Sequence, residues 1–222
     1  MNQKFAVIGL GQFGSSIARK LSLKGSEVIA IDSDEEKVES IKNDVAYAVT
    51  MDSTEKRSLE AQNIQDMDAV IVSIGANFQA MLLTTFLLQE LGVKRIIARA
   101  QGITQRRILE KMGITEILQP EEEVGKNVAE QLFNPGVLMC MSLPDDYEII
   151  EVQAPKSIAR RSLDAIGLRE KYHLNLVTLL RKVDNEYHIQ GIPVAGTALE
   201  AEDLLVLFGK SKHIDRFIEI NS

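Results

Sequence analysis

Phe5-Ala6-Val7-Ile8-Gly9-Leu10-Gly11-Gln12-Phe13-Gly14 opens the chain with four apolar residues that run into glycines spaced G-x-G-x-x-G. The spacing alone is weak, because it recurs by chance in unrelated folds. Its surroundings decide the reading. Phe5 to Ile8 reads as a buried strand, and beyond the loop Phe13, Ile17, Ala18 and Leu21 fall on one helical face. The loop therefore joins a strand to the start of a helix, whose first amides can face a pyrophosphate. There Gly9 permits the turn, Gly11 lets backbone approach a phosphate, and Gly14 lets helix pack on strand. Asp32 ends the next apolar run, eighteen residues beyond Gly14. A carboxylate at that place accepts hydrogen bonds from ribose hydroxyls and repels a 2′-phosphate, which disfavours NADP without separating NAD from ATP, ADP or AMP. The competing reading of Asp32 is a helix cap or a solvent-facing turn residue.

The same alternation continues outward from the loop. Strands are predicted at Val28 to Ile31, Ala46 to Val49, Ala69 to Ser73, Arg95 to Ala98 and Glu116 to Leu118, with helical patterns between them. With the first strand, this βα order predicts an α/β domain of the Rossmann type, a doubly wound parallel sheet over residues 1–133. Ser33-Asp34-Glu35-Glu36 and Asp52-Ser53-Thr54-Glu55 read as capping boxes that open helices. In Ala76 to Leu91 the apolar residues Met81, Leu82, Leu83, Phe86, Leu87 and Leu88 surround the helix, so it needs cover on two sides. Either its own domain or a neighbouring subunit can supply that cover.

After a helix over roughly Glu122 to Phe133, Asn134-Pro135-Gly136 breaks the chain, and the wholly apolar Val137-Leu138-Met139-Cys140-Met141 follows. Residues 134–143 are read as an interdomain helical arm exchanged with a partner, against the alternative of a strand or core packing. Strands at Tyr147 to Gln153, Leu174 to Leu180, Tyr187 to Gln190 and Leu204 to Phe208, with helical pieces near Ser162 to Tyr172 and Lys210 to Ile220, predict a second, smaller α+β domain over residues 144–222.

Composition narrows the function. Hydrophobic residues at 45% and charged residues at 26% give an ordinary globular balance. With 25 Lys+Arg against 32 Asp+Glu the net charge is -7, and no basic face is segregated, so no nucleic-acid partner is expected. The one cysteine, Cys140, excludes an internal disulfide framework and fits a reducing, cytosolic compartment. The N-terminus lacks the layout of a signal peptide. Ala80 to Leu88, the longest apolar stretch, is interrupted by Thr84 and Thr85 and falls far short of the ~20 residues of a membrane span.

Catalytic groups do not accompany the loop. Four residues after Tyr47, Tyr147, Tyr172 and Tyr187 stand Met51, Glu151, Leu176 and Gly191, so the Tyr-x-x-x-Lys of short-chain dehydrogenases is missing. His173, His188 and His213 are scattered through the C-terminal part. Gln12-Phe13-Gly14-Ser15-Ser16 lacks the Gly-Lys-Ser/Thr ending of a P-loop. Binding without turnover is the economical reading, with a small NAD-dependent oxidoreductase and a redox-sensing repressor as rivals.

Several linked motifs carry a resemblance. The opening ten residues quoted above, Val70-Ile71-Val72-Ser73-Ile74-Gly75-Ala76-Asn77-Phe78-Gln79-Ala80, Ala98-Arg99-Ala100-Gln101, Ile108-Leu109-Glu110-Lys111-Met112-Gly113 and Gln119-Pro120-Glu121 resemble the regulatory subunits of Ktr and Trk potassium-uptake systems. The match runs over essentially the whole chain. It implies an N-terminal RCK domain (regulator of potassium conductance), a C-terminal RCK domain, and no enzymatic activity. It also implies a homodimer assembling into a ring, typically an octamer, at the cytoplasmic face of the membrane beneath a potassium-transporter subunit. Nucleotide binding would change the ring's shape and gate the transporter, with the apolar helix near Met81 in ring assembly and the Asn134-Pro135-Gly136 arm in the dimer.

Carried over by position, the resemblance places Gly9, Gly11, Gln12, Phe13, Gly14, Asp32, Asp34, Asp52, Ser53, Ile74, Gly75, Ala76, Arg99 and Glu121 at a site for ATP, ADP or NAD(H). Arg99 would meet phosphate or ribose. Glu121 would lie near the phosphates and help hold a divalent or monovalent cation, unless it is plain helix N-terminal acidity within Glu121-Glu122-Glu123. Family members commonly carry arginine at the place of Gln12, where it reaches a γ-phosphate across the dimer. Glutamine keeps hydrogen bonding but loses the charge-assisted bidentate contact, roughly twice as strong as a neutral bond, which leaves the choice among ATP, ADP and NAD open. In the second domain, Leu168, Arg169, Asn175, Leu176 and Pro193 match a cyclic di-AMP site. There the apolar residues would sandwich adenine, and Arg169 and Asn175 would meet phosphate and base or ribose edges. The other reading of Arg169 is a surface residue.

Overall fold

Short β-branched runs that must bury both faces, separated by helices with one apolar face, leave a parallel sheet covered on both sides as the stable arrangement. The computed structural model describes residues 3–221 and divides the chain into two compact units, residues 1–122 and 123–222. In the first, β1 (Lys4–Ile8), α1 (Gln12–Leu23), β2 (Glu27–Asp32), α2 (Glu35–Glu39), β3 (Tyr47–Thr50) and α3 (Lys56–Ala61) make one half. The other half is β4 (Ala69–Val72), α4 (Phe78–Glu90), β5 (Ile96–Arg99), α5 (Ile103–Lys111) and β6 (Glu116–Leu118), after which α6 (Pro120–Phe133) begins. The sheet order is β3-β2-β1-β4-β5-β6, parallel throughout.

The order reverses between β1 and β4. At such a switch point the loops leaving the two strands diverge to opposite faces, and a crevice opens at their carboxyl ends. The register sets that crevice level: Ile8 pairs with both Ile31 and Val72, so Gly9, Asp32 and Ser73 come next to one another. Ile8, Ile31, Val72, Met81, Leu88 and Leu109 fill one side of the sheet, and Val7, Ala18, Val28, Ala30 and Ile41 the other.

Two local expectations are corrected. The cap of α2 is Asp34 and not Ser33, with Oδ1 accepting the Glu36 amide at 3.0 Å. Asp52 opens no helix: its Oδ1 accepts the Thr54 amide at 2.8 Å and the Thr54 hydroxyl at 2.7 Å, closing a turn, and α3 starts at Lys56 without a side-chain cap. Asp and Ser compete equally well for cap and turn bonds, so the sequence pattern could not fix which carboxylate took which amide. In α4, Met81, Thr84, Thr85, Leu87 and Leu88 are buried within the unit, while Leu83 and Phe86 are about half exposed.

In the second unit α6 is followed by β7 (Val137–Ser142), β8 (Tyr147–Gln153), α7 (Leu163–Ile166), α8 (Leu168–Tyr172), β9 (Asn175–Val183), β10 (Glu186–Ile189), β11 (Leu204–Lys210) and α9 (Ser211–Asn221). The strands form an antiparallel sheet of order β10-β9-β11-β8-β7. The expected helical arm is therefore a strand. Five consecutive apolar residues carry no period that separates helix from strand, and β8 offers an unpaired edge on which Cys140 pairs with Ile150. The units also part at Glu122, inside α6, and not after residue 133. Past that point α6 belongs with the second sheet, where Lys126 Nζ lies 3.7 Å from Glu148 and the Gln131 side chain donates to the Leu138 carbonyl. Ile150, Ile158, Leu174, Leu205 and Phe217 centre this unit's core. Asp203, 1% exposed, is held there by Arg181 Nε at 3.0 Å and Nη2 at 2.8 Å and by the Glu200 amide at 2.8 Å. Among the described residues no helix is long and apolar enough to cross a membrane.

Candidate functional site

The carboxyl ends of β1, β2, β4 and β5 surround a cavity of about 660 Å³. Its floor is the glycine loop. Gly9 takes φ +95°, a conformation costly for any side-chain-bearing residue, and its amide donates to the Ile31 carbonyl at 2.8 Å. A Cβ on Gly14 would stand 1.9 Å from the Gly9 carbonyl oxygen, so only glycine lets α1 approach the loop.

Asp32 closes this floor. Its Oδ2 accepts the Leu10 amide at 2.7 Å, its Oδ1 accepts the Asp34 amide at 2.9 Å, and Lys37 Nζ lies 3.7 Å away. With 11% of its side chain exposed, it is neither the cap of α2 nor a solvent-facing turn residue. It latches the glycine loop to the end of β2. A carboxylate offers about four lone-pair sites, so capacity for ribose hydroxyls remains. Burial works to raise the Asp34 carboxyl, but the Lys37 ammonium, 3.3 Å away, and the Glu36 amide hold it below the usual carboxylate range. The Thr54 hydroxyl and amide do the same for Asp52.

At the opposite wall the polar groups lack partners. Ser73 Oγ and Arg99 Nε are buried without a hydrogen bond, an arrangement that costs about 1–3 kcal/mol per group and that a ligand acceptor relieves. The Arg99 guanidinium carbon lies 5.5 Å from the centre of the Phe13 ring, and one terminal nitrogen is ion-paired with Glu121. Ser53 is occupied already, its hydroxyl 2.8 Å from that of Thr84.

The cavity thus gathers Gly9, Gly11, Asp32, Asp52, Ser53, Ile74, Gly75, Ala76 and Arg99. The remaining expected residues stand outside it. Gly14 shapes the loop from below, Phe13 carries Arg99, and Asp34 caps α2. Gln12 lines a separate cleft beside Ser16, Arg19 and Lys20. Glu121 borders a neighbouring cavity of about 440 Å³ with Gln101 and Glu122. Among the described residues no three His, Cys, Asp or Glu side chains gather as a metal site, and the ion-pair partner of Glu121 is Arg99. Sequence reasoning missed Lys37, Ser73 and Gln101, all of which line the main cavity. Ser73 and Gln101 had a usable signal, since each is a polar residue just past the end of a buried strand.

In the second unit Arg169 Nε donates to Asn175 Oδ1 at 3.0 Å. Leu168 is buried in the core, Leu176 packs against that core, and Pro193 is half-buried. Cys140 is buried, and desolvation together with the Glu148 carboxylate pushes its thiol up to about 11, which removes it from thiolate chemistry at neutral pH.

A doubly wound parallel sheet with a Gly-x-Gly-x-x-Gly floor, joined to a smaller antiparallel α+β unit, defines a Rossmann-type domain protein with an appended second domain. The chain belongs to the TrkA-N domain family, which matches residues 5–120. It is similar over nearly its full length to Ktr system potassium uptake protein A of Bacillus subtilis (strain 168), at 37% identity over 216 residues, 97% of this chain and 96% of the relative. Ktr system potassium uptake protein C of the same organism is 36% identical over 217 residues, 98% of this chain and 96% of the relative. Among solved structures, the GsuK channel matches with a TM-score of 0.71 at 13% identity over 100% of this chain and 40% of the channel chain. The GsuK channel bound to NAD matches at 0.65 and 14% identity over 96% of this chain and 38% of that one. Both relatives are named as proteins of a potassium-uptake system, and neither is named as an enzyme.

Proposed function

We propose that the chain is the cytoplasmic gating subunit of a Ktr-type potassium transporter, with an adenine nucleotide or NAD(H) in the first unit's cavity as its signal. One observation carries the reading. The cavity keeps a carboxylate with acceptor capacity to spare, Asp32, at one end and unpartnered buried donors, Ser73 Oγ and Arg99 Nε, at the other, as a ligand with ribose at one end and phosphate at the other requires. The GsuK channel bound to NAD supports it as a protein of the same fold. The cavity lining holds no tyrosine or histidine to pass a proton, which speaks against the oxidoreductase alternative.

In this reading the chain dimerises and builds a ring, an octamer by family resemblance, against a membrane transporter subunit. Nucleotides shift the ring only by their differential affinity for its shapes. Gln12, outside the cavity, serves a neighbouring copy's phosphate if it serves one. A cation at the phosphates would fall to Glu121. Cyclic di-AMP would engage the second unit through Arg169 and Asn175, with Leu176 and Pro193 as the apolar contacts and Leu168 as their buried support. Titration calorimetry with ADP, ATP, NAD and NADH tests the first site. Binding of at least one, lost in Arg99→Ala, is expected, and binding of none sinks the reading. Arg169→Ala is expected to weaken cyclic di-AMP binding while sparing the first site.

A further inference from the structure

Arg99 is already occupied by an anion. Its guanidinium lies over Phe13, with one terminal nitrogen ion-paired to the Glu121 carboxylate and the side chain 15% exposed. A Cβ on Gly75 would come within 3.1 Å of Arg99 Nη1 and of Gln101 Nε2, so the absence of a side chain there lets both ends lie against the cavity wall. Its Nε is buried without a partner. A phosphate arriving at Arg99 meets a group that is half spoken for.

We infer that Glu121 stands in for the ligand's phosphate in the free chain, and that in the absence of a cation, phosphate binding displaces it from Arg99 towards the adjoining cavity. The inference rests on the nucleotide reading of the main cavity.

Three observations make the exchange feasible. Glu121 is 58% exposed, so its carboxylate is already largely hydrated and releasing it from Arg99 forfeits little. It also has a second favourable position. Glu121 follows Pro120 in the first turn of α6, where the unpaired amides and the helix dipole favour a carboxylate without Arg99. Finally it has room, because Glu121 borders the cavity of about 440 Å³ rather than the main one. The incoming phosphate is the better partner for Arg99, because it can also take the bidentate geometry and the unused Nε.

Glu121 is thus an internal competitor that lowers phosphate affinity by a fixed factor and leaves the adenosine end untouched. The separating experiment compares AMP with adenosine by calorimetry in chelator-containing buffer, in the parent, Glu121→Gln, Arg99→Gln and the double variant. Removing a half-exposed competitor is expected to tighten AMP about two- to fivefold in Glu121→Gln, with adenosine unchanged. In the Arg99→Gln background the same change is expected to do nothing. A weaker affinity for AMP in Glu121→Gln would show that Glu121 positions Arg99 for the ligand, and an equal gain for adenosine would show a general loosening. Either result overturns displacement while leaving nucleotide binding intact. Failure of the parent to bind both ligands would remove the nucleotide reading and this inference together.

Discussion

Replacing Asp32 with alanine is the usual way to erase a ribose contact, but here it removes a structural latch as well. The side chain is 11% exposed and accepts the amides of Leu10 at 2.7 Å and Asp34 at 2.9 Å. Alanine strands both amides. A buried donor without a partner costs about 1–3 kcal/mol, and the limited exposure lets water repay part of two such losses, so about 2–4 kcal/mol is expected. At roughly 3–5 °C per kcal/mol for a unit of this size, the first unit's calorimetric transition falls by about 10 °C without any ligand present. Asp32→Asn separates the two roles. Its amide oxygen keeps one acceptor while its NH₂ faces the other backbone donor, so about half the destabilisation is expected together with a loss of nucleotide affinity. A ligand-free Asp32→Ala chain that melts within about 1 °C of the parent would refute the latch. Unchanged affinity in a folded Asp32→Asn chain would refute the ribose contact.

Gly14→Ala places a methyl group 1.9 Å from the Gly9 carbonyl, so it is expected to cost about 1–3 kcal/mol and abolish nucleotide binding, whereas Gly11→Ala, with no atom within 4 Å of its Cβ, should leave ligand-free stability near that of the parent. Thermal melts of the two variants side by side check this. Arg181→Ala leaves Asp203 buried and unpaired, and a loss of about 3–5 kcal/mol in urea unfolding of the second unit is expected. Arg181→Lys recovers only part, because lysine cannot match the two-nitrogen contact. The Cys140 thiol, raised to about 11 against an ordinary 9.0, favours folding below pH 9, and that contribution fades as pH climbs from 9 towards 11. A thiol reagent at pH 8 should therefore label the native chain far more slowly than the urea-unfolded chain, and equal rates would contradict the burial.

The parallel sheet was legible because its signal is redundant. Each strand is a short apolar run, each is followed by a helical pattern, and the first loop carries glycines whose reason survives inspection of Gly9 and Gly14. The second sheet was half legible. Val137 to Met141 has no period, and what makes it a strand is the free edge of β8, a partner that sequence order does not announce. Caps failed for a related reason: Asp34 and Asp52 each had several amides in reach, and the backbone path chose among them. Around the cavity, Gly9, Gly11, Asp32 and Arg99 are residues that the loop motif or the family pattern singles out, whereas Gln12 and Glu121, singled out the same way, line other clefts. Lys37 reaches the lining only by convergence in space, which no motif announces.

The two ends of the cavity differ in what the chain has already satisfied. At Asp32 the carboxylate is bonded to two amides and flanked by Lys37, so a ribose hydroxyl adds bonds to a group that is stable without it. At Ser73 and Arg99 the chain carries unpaired buried donors, and the free protein bears their desolvation cost until an acceptor arrives. Ligand affinity should therefore come mainly from the phosphate end, with adenosine supplying orientation. That asymmetry also explains why the anion beside Arg99 matters: Glu121, on a helix that continues into the second unit, pairs with the guanidinium at the phosphate end and leaves Nε and the Ser73 hydroxyl unpaired. A nucleotide that displaces it leaves the Glu121 carboxylate, on the first turn of α6, without its guanidinium partner at the moment it fills the cavity.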